Sequence, residues 1–202
     1  LHVHLSLWDA DGERDVTASD EDDTSLSQAG GWFLGGILAH IAALTGLGSP
    51  TVNSYKRLQP GSWAPANTYW GYGNRSGVIR IPGVGKRRHM ELRSPDSSAQ
   101  PHLLLAGLLA AGADGIRRQL EPPPPFQGDI GHLTEDEVKR HGIGYLPRTL
   151  SEALDALEQD EIVAGAVGET ALQHFLTVKR HELATYETHV HPWERETYLE
   201  II

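Results

Sequence analysis

The sequence contains no cysteine among its 202 residues. Disulfide bonds, thiolate metal ligands and cysteine nucleophiles are therefore excluded. The sequence also contains no signal peptide and no apolar run near the roughly 18 to 20 residues that a membrane-spanning helix needs. These absences predict a soluble protein with no membrane partner, and they fit a cytoplasmic location.

Positive charge is scarce, and much of it lies in one segment. The chain has 17 Lys and Arg against 27 Asp and Glu, for a net charge of −10. Residues 53–93 nevertheless hold eight of the cations and a single acid, Glu91, which gives this segment a net charge of +7. Cations gathered in this way predict an anion-binding site, with an ordinary solvated face as the alternative. The eight cations are Lys56, Arg57, Arg75, Arg80, Lys86, Arg87, Arg88 and Arg93.

The predicted anion is small. The basic residues are spaced through strand-like text such as SGVIRIP, and they do not form a continuous run or a helical stripe. This pattern in an acidic chain argues against a nucleic-acid partner. The rigid fork of arginine binds carboxylates and phosphates through two hydrogen bonds. Arg75, Arg80 and Arg93 stand where a few strands would bring such groups together.

The first residues alternate as in a strand. His2, His4 and Ser6 would share one face, so two imidazoles would be able to meet a metal or a phosphate, with a structural or surface role as the alternative. Residues 9–23 then read as an acidic, solvated loop.

Helical spacing of apolar residues dominates much of the rest. It predicts a core helix from Ser25 to a C-cap at Gly46, and a second helix from Pro101 to Gly115 whose small residues pack against a sheet. Glu121–Pro125 holds four prolines and predicts a rigid connector. Residues 150–202 predict further helices, with Ser151 as a cap and a break at Gly168.

Four ordered motifs carry a family resemblance. NSYKRLQPG, AP, NRSGVIRIP and MELRSPD, together with the opening HVHLSLWD, resemble the glutamine synthetase family over nearly the whole chain. The resemblance implies an α+β fold, with an antiparallel half-barrel sheet and helices packed outside it. It also implies that residues 1–202 are the C-terminal part of the catalytic domain, without the N-terminal domain and upstream strands. The start at Leu1, directly in strand-like text, agrees with a piece of a longer protein.

The resemblance implies an ATP-dependent ligase. Such an enzyme activates the γ-carboxyl of glutamate as an acyl phosphate and forms an amide with ammonia or a small amine. ATP and Mg²⁺ or Mn²⁺ would be required, and the family assembles as double hexameric rings, so a homo-oligomer is expected. A catalytically inactive homologue with a binding or structural role is the alternative.

Individual roles follow from the matched motifs. By resemblance, His2 and Glu91 bind the metal, Arg57 and Arg93 bind glutamate, Arg75 and Arg80 assist catalysis, and the nucleotide contacts are His4, Ser6, Arg75, Arg80 and Lys86.

Three positions depart from the family pattern. Trp63 stands where family members carry a flap glutamate that binds and deprotonates ammonium, and an indole is not a base. His89 occupies a basic position two residues before Glu91, and it receives no role. Gly144 replaces the tyrosine that is adenylylated in the family, which argues against that regulation.

Overall fold

The computed structural model describes residues 1–21, 24–128, 130 and 133–201. The end of the predicted acidic loop, Asp22 and Asp23, and the last residue, Ile202, lie outside the described residues. The strands are β1 (Val3–Leu5), β2 (Asn67–Thr68), β3 (Trp70–Tyr72), β4 (Ile79–Ile81), β5 (Met90–Leu92) and β6 (Gly144–Tyr145). The helices are α1 (Gln28–Ala39), α2 (Ile41–Gly48), α3 (Val52–Arg57), α4 (Pro101–Arg118), α5 (Glu135–Arg140), α6 (Leu150–Gln159), α7 (Glu161–Val167), α8 (Glu169–Glu187) and α9 (Pro192–Tyr198).

The strands form a four-stranded sheet in the order β1-β5-β4-β3 and a two-stranded sheet of β2 and β6. The predicted α+β class is confirmed. The larger sheet is mixed, however, because β3 and β4 are parallel while β1 and β4 both run antiparallel to β5. Two glycines allow the loop from the end of β3 to return to the start of β4. Gly73 has a φ of +64°, which favours glycine. A Cβ on Gly77 would lie 3.0 Å from the Tyr69 carbonyl oxygen.

The predicted core helix from Ser25 to Gly46 is two helices. α1 begins after Ser27, whose hydroxyl accepts from the Gly30 amide, and the chain then turns by 71° at His40 into α2. Gly46 is not a cap but lies inside α2, where a Cβ would approach the Ala153 carbonyl oxygen to 2.8 Å. Within the described part of the chain, no single helix meets the length and apolarity needed to cross a membrane, and α1 with α2 meets them only across this bend.

The bend is held by a cluster of charged side chains. His40 is buried, with Nδ1 lying 2.7 Å from Asp160 Oδ2 and Nε2 lying 3.2 Å from Asp114 Oδ2. Arg118 donates to Asp114 at 2.9 Å. Burial alone would raise the pKa of Asp114, but the hydrogen bonds from His40 and Arg118 outweigh burial and lower this pKa. We call His40, Asp114 and Asp160 the corner cluster.

α4 begins at Pro101, as predicted, but it runs past Gly115 to Arg118 and ends at Gln119 with a left-handed φ of 53°. Its small residues meet other helices instead of the predicted sheet. A Cβ on Gly36 of α1 would lie 2.1 Å from the Ala111 carbonyl oxygen and 2.7 Å from the Gly115 Cα atom. Gly115 therefore permits backbone contact between α1 and α4 and does not terminate the helix.

Helices predominate from residue 150 onward, as predicted. Thr149 caps α6 in place of the predicted Ser151, because its hydroxyl accepts from the Glu152 amide and α6 already includes Ser151. Gly168, with φ +84°, separates α7 from α8 as expected. The apolar faces of α1, α2, α4 and α6 form one core with the sheet residues Ile79, Ile81, Met90 and Leu92.

The proline segment Glu121–Pro125 forms neither helix nor strand, in agreement with the predicted connector. It runs beside β3, where the Trp70 indole donates to the Pro123 carbonyl oxygen at 2.7 Å and the Phe126 amide donates to the Trp70 carbonyl oxygen at 2.9 Å. These bonds cover the edge of β3 that faces away from β4.

Candidate active site

The candidate site is organised around Glu91 in β5. The strand pairing places His4 of β1 opposite Glu91 on one side and Arg80 of β4 opposite it on the other. Arg93 lies two residues further along the chain and so points to the same face. Residues directly opposite in antiparallel strands lie close enough for their side chains to interact. The sheet therefore gathers charged groups that are as many as 89 residues apart in sequence.

Glu91 is a buried carboxylate, only 2% exposed. Its Oε1 accepts from Arg93 Nη1 at 2.8 Å and lies 2.8 Å from His2 Nδ1, while its Oε2 accepts from Arg80 Nη1 at 3.1 Å. Burial would raise the pKa of Glu91, but the Arg80 hydrogen bond and the charges of Arg93 and His2 lower it overall. Burial and the Arg93 charge lower the pKa of His2. These directions favour an ionised Glu91 beside a neutral His2 at neutral pH. We call His2, Arg80, Glu91 and Arg93 the sheet cluster.

The sheet cluster forms one wall of a cavity of about 1150 Å³. Four of the predicted arginines and one carboxylate line it, which gives its charged groups a formal sum of +3. Six predicted site residues line this cavity, namely His2, Arg57, Arg75, Arg80, Glu91 and Arg93. A cavity with this charge and size suits a small anionic ligand.

Arg57 reaches the cavity from the end of α3. This helix is set by a capping box, in which the Thr51 hydroxyl accepts from the Ser54 amide and the Ser54 hydroxyl accepts from the Thr51 amide. Arg57 Nη2 donates to the Ser94 carbonyl oxygen, and burial lowers the pKa of Arg57. Ser94 follows β5, so this bond ties α3 to the sheet.

Three arginines each have one unpaired hydrogen-bond donor. The buried Nε atoms of Arg57, Arg80 and Arg93 have no hydrogen-bond partner among the described residues. Buried donors in native proteins are nearly always paired, so an unpaired one indicates a missing partner. All three residues line the same cavity. The Nε atoms themselves are sealed from the cavity, so a carboxylate or phosphate there would meet the outer nitrogens of these guanidinium groups.

A metal ion fits three donors of the sheet, of which His2 and Glu91 line the cavity and His4 does not. His2, His4 and Glu91 each offer a ligand atom, and the three atoms lie within 4.8 Å of one another. One carboxylate and two imidazoles are ordinary ligands for a divalent cation. The structure thus brings together the predicted metal residues His2 and Glu91, and it adds His4, which the sequence assigned to the nucleotide.

Two other predicted nucleotide residues lie elsewhere. Like His4, Ser6 and Lys86 are not among the residues that line the cavity. The Ser6 hydroxyl accepts from the Trp8 indole at 2.9 Å and keeps its own proton to donate. Lys86 is exposed in a 3₁₀ turn, Gly85–Arg87, between β4 and β5. Their roles stay predictions.

The loop after α3 forms another part of the cavity wall. It turns at Gly61, whose φ of +79° favours glycine, and it carries Trp63 with 99% of its surface exposed. Gln59, Ser62 and Asn67 also line the cavity, and the sequence analysis did not identify them. Single uncharged residues of these types give no sequence signal that separates them from ordinary loop residues.

His89, which had no predicted role, contacts the site. Its Nε2 lies 3.0 Å from His4 Nδ1, and its Nδ1 lies 3.1 Å from the Arg87 carbonyl oxygen. His89 is therefore one hydrogen bond away from the possible metal ligands.

Comparison with known proteins agrees with this geometry. The model of the family described as "Glutamine synthetase, catalytic domain" matches residues 1–198. Glutamine synthetase from Thermus thermophilus is 47% identical over 202 residues, and that from Halobacterium salinarum is 44% identical over 201. These alignments cover 98% and 99% of this chain but only 44% of each relative. The chain thus spans less than half the length of these curated relatives.

Solved structures share the fold. The structure described as "GmaS/ADP complex-Conformation 1" matches with a TM-score of 0.85 and 38% identity, over 98% of this chain and 45% of that one. "Apo GmaS without ligand" matches with a TM-score of 0.81 and 40% identity, over 98% of this chain and 44% of that one. The resemblance stated from the motifs is confirmed. Since the catalytic-domain model matches nearly every residue, the protein belongs to the glutamine synthetase family.

Proposed function

We propose that the complete protein is an ATP-dependent ligase that joins the γ-carboxyl of glutamate to ammonia or a small amine. The observation that carries this proposal is the cavity lined by Arg57, Arg80 and Arg93, each with an unpaired buried Nε, beside the buried carboxylate of Glu91. Relatives named glutamine synthetase and a solved relative in complex with ADP support a reaction that uses both glutamate and a nucleotide.

The chemistry explains why so many cations are needed. A carboxylate does not react with an amine at neutral pH, because its carbonyl carbon is shielded by negative charge. Transfer of the γ-phosphoryl group of ATP to the γ-carboxylate gives an acyl phosphate and ADP. The amine nitrogen then attacks the acyl carbon, and phosphate leaves with the C–O bonding electrons. Two anions must approach each other in the first step, so fixed positive groups stabilise its transition state.

Each residue then has a proposed task. Arg57 and Arg93 hold the glutamate carboxylates through their guanidinium groups, while Arg75 and Arg80 face the transferred phosphoryl group. His4, Ser6 and Lys86 contact the nucleotide. His2 and Glu91 would hold Mg²⁺ or Mn²⁺, which would offset phosphate charge when bound. The hydrogen bonds from Arg80 and Arg93 keep Glu91 ionised and fixed in orientation.

The direct test measures phosphate release by the complete protein with ATP, glutamate and a series of acceptors. Arg93→Gln should lower kcat/KM for glutamate on the order of 10²-fold, because it removes a charged donor from the cavity. Arg117→Gln makes the same charge change on an exposed residue outside the cavity and should leave the rate unchanged. An unmodified protein that releases no phosphate with any acceptor would favour the inactive homologue.

We further propose that the acceptor is an alkylamine and not ammonium. Trp63 replaces the flap glutamate of the family pattern, and its ring is fully exposed on the loop that borders the cavity. An indole face attracts an ammonium group by roughly 0.5 to 2 kcal/mol and also packs against alkyl carbon, which ammonium lacks. Another group must still remove the amine proton before attack.

The acceptor test compares kcat/KM for ammonium and for primary alkylamines. At least one alkylamine should exceed ammonium, and Trp63→Glu should shift the ratio towards ammonium. Trp63→Phe keeps an aromatic face without adding charge and should keep the preference for alkylamines. If ammonium is the best acceptor of the unmodified protein, the amine proposal fails while amide synthesis stands.

The predicted ring assembly is also kept as a proposal. The C-terminal residues Val190, Trp193, Tyr198, Leu199 and Ile201 are exposed apolar side chains. Large exposed apolar side chains that are this frequent in one segment suit a subunit contact. Light scattering on the complete protein would give the number of subunits. The cytoplasmic location stays a prediction.

A further inference from the structure

The tautomers of two histidines can be worked out from one backbone carbonyl. His89 Nδ1 lies 3.1 Å from the Arg87 carbonyl oxygen, and His89 Nε2 lies 3.0 Å from His4 Nδ1. A carbonyl oxygen only accepts hydrogen bonds, so His89 Nδ1 must carry the proton. In a neutral ring, Nε2 of His89 then holds a lone pair and accepts.

His4 takes the complementary tautomer. Since His89 Nε2 accepts, the proton between the two rings belongs to Nδ1 of His4. The lone pair of a neutral His4 is then at Nε2. Metal-binding histidines are commonly fixed in this way, with one nitrogen donating to a neighbouring acceptor while the other binds the ion.

We propose that His4, through Nε2, is a third ligand of the cation held by His2 and Glu91, and that His89 is a positioning residue that sets the tautomer of His4. This inference rests on the cation site of the proposed function and changes the role given to His4. A ligand atom of His4 already lies within 4.8 Å of those of His2 and Glu91. Glu91 pairs with His2, Arg80 and Arg93, but a carboxylate has about four lone-pair sites and so retains one for an ion.

The ligand set indicates which ions the site prefers. Imidazole suits late first-row ions such as Co²⁺ and Zn²⁺, whereas Mg²⁺ prefers oxygen ligands and water. A second imidazole therefore raises the affinity for Co²⁺ or Zn²⁺ far more than the affinity for Mg²⁺. His4 and His89 would make this protein selective for, or sensitive to, such ions.

The test measures binding of Co²⁺ and of Mg²⁺ to the complete protein by calorimetry, without substrates, and follows the visible absorption of bound Co²⁺. His4→Ala should weaken Co²⁺ binding on the order of 10- to 100-fold, with a smaller effect on Mg²⁺, and should change the Co²⁺ spectrum. Should His4→Ala not fold, which a thermal melt would reveal, His4→Phe keeps the ring volume without a ligand atom.

Variants of His89 separate positioning from packing. His89→Leu removes the acceptor and should weaken Co²⁺ binding by about 10-fold. His89→Gln supplies an amide oxygen that can accept from His4 Nδ1, and it should bind Co²⁺ nearly as well as the unmodified protein. His102→Leu removes an exposed histidine at the start of α4 and should have no effect.

Three results would overturn the inference. Equal Co²⁺ affinity in His4→Ala and the unmodified protein would exclude His4 as a ligand, while leaving the proposed ligase intact. His89→Gln binding as weakly as His89→Leu would show that the hydrogen bond to His4 does not matter. Failure of the unmodified protein to bind either ion would overturn this inference and the cation site of the proposed function together.

Discussion

Among the described residues, histidine is paired with carboxylates at two places, and the surroundings of the two differ. In the corner cluster, both nitrogens of His40 are matched to Asp114 and Asp160, and none of the three residues lines the cavity. In the sheet cluster, Glu91 is matched to His2, Arg80 and Arg93, yet Arg80 and Arg93 keep buried donors without partners among the described residues.

The difference shows how to tell a structural cluster from a binding site. Both clusters hold a buried acid whose pKa is lowered by neighbouring donors, so a perturbed pKa does not separate them. Perturbed groups are known from both functional sites and structural ion-pair networks. What separates them is the unused hydrogen-bonding capacity next to a cavity. Among the described residues, the buried side-chain nitrogens and oxygens of the corner cluster have partners, whereas Arg80 and Arg93 of the sheet cluster each have an unpaired Nε beside the cavity.

The largest expected effect comes from Glu91→Gln, which keeps the side-chain shape but removes the charge. One carboxylate oxygen becomes an amide NH₂, so Arg80 and Arg93 no longer both have an acceptor, and the proposed cation site loses its negative charge. In the complete protein, kcat should fall on the order of 10²-fold or more. Steady-state rates at saturating substrate would measure this. Asp114→Asn is the matched control in the corner cluster. It should leave kcat unchanged at temperatures where the variant is folded. Equal losses of kcat in both variants would contradict the distinction between a structural cluster and a binding site.

His40→Leu should have the opposite profile. It leaves two partly or fully buried carboxylates, on Asp114 and Asp160, without the group between them. Leaving a buried polar group without its hydrogen-bond partner costs about 1 to 3 kcal/mol per group, and more when the group is charged, so the free energy of unfolding should fall by at least that order. Urea denaturation would measure the loss, and the KM for glutamate should not change. A shift in the KM for glutamate without loss of stability would mean that the corner cluster affects substrate binding at the cavity.

Acid should weaken the corner cluster. The folded pKa of Asp114 is lowered, so its contribution to stability is present above its ordinary pKa of about 3.9 and is lost as pH falls through the folded value. The free energy of unfolding should therefore decrease below about pH 4. Asp114→Asn should show a shallower decrease in the same titration. Identical pH profiles for the two proteins would contradict the lowered pKa.

The smallest expected effect is that of Arg118→Ala. Arg118 donates to Asp114 at 2.9 Å, but its side chain is 58% exposed. Exposed ion pairs contribute about 0.2 to 1 kcal/mol, so thermal melting should show a loss of stability within that range. A loss of stability as large as that of His40→Leu would show that Arg118 contributes as much as His40 to the stability of the corner cluster.

Much of the site could be predicted from the sequence, because its charged residues stand in contiguous motifs. The motifs pointed to Arg57, Arg80, Glu91 and Arg93, which line one cavity in the structure. The fold class followed from the family resemblance, and most helices followed from apolar spacing. The parallel pairing of β3 with β4 could not be predicted, because strand direction depends on how the loop 73–78 closes. Two strands only three residues long carry no signal for that.

Contacts between residues far apart in the sequence could not be predicted either. The spacing around His40 predicts an uninterrupted helix, and nothing local indicates that Asp114 and Asp160, 74 and 120 residues away in sequence, hold a 71° bend there. His89 was likewise left without a role, since its partner His4 is 85 residues away. Helical spacing alone also predicts a first helix that is too long and an α4 that is too short. In the sequence, a glycine at a helix–helix contact cannot be distinguished from a glycine at a helix cap.

The exposure of Trp63 also has an optical consequence. Its indole is surrounded by water on all sides, whereas Trp70 is 4% exposed and packed in the core. Indole fluorescence moves to shorter wavelength when water around the ring is replaced by apolar atoms. An acceptor that packs on Trp63 would therefore blue-shift the emission of this residue, and Trp63→Phe would remove that response while the other tryptophans remain as an internal standard. The protein thus carries its own fluorescent reporter at the mouth of the cavity, and occupancy could be followed without any turnover.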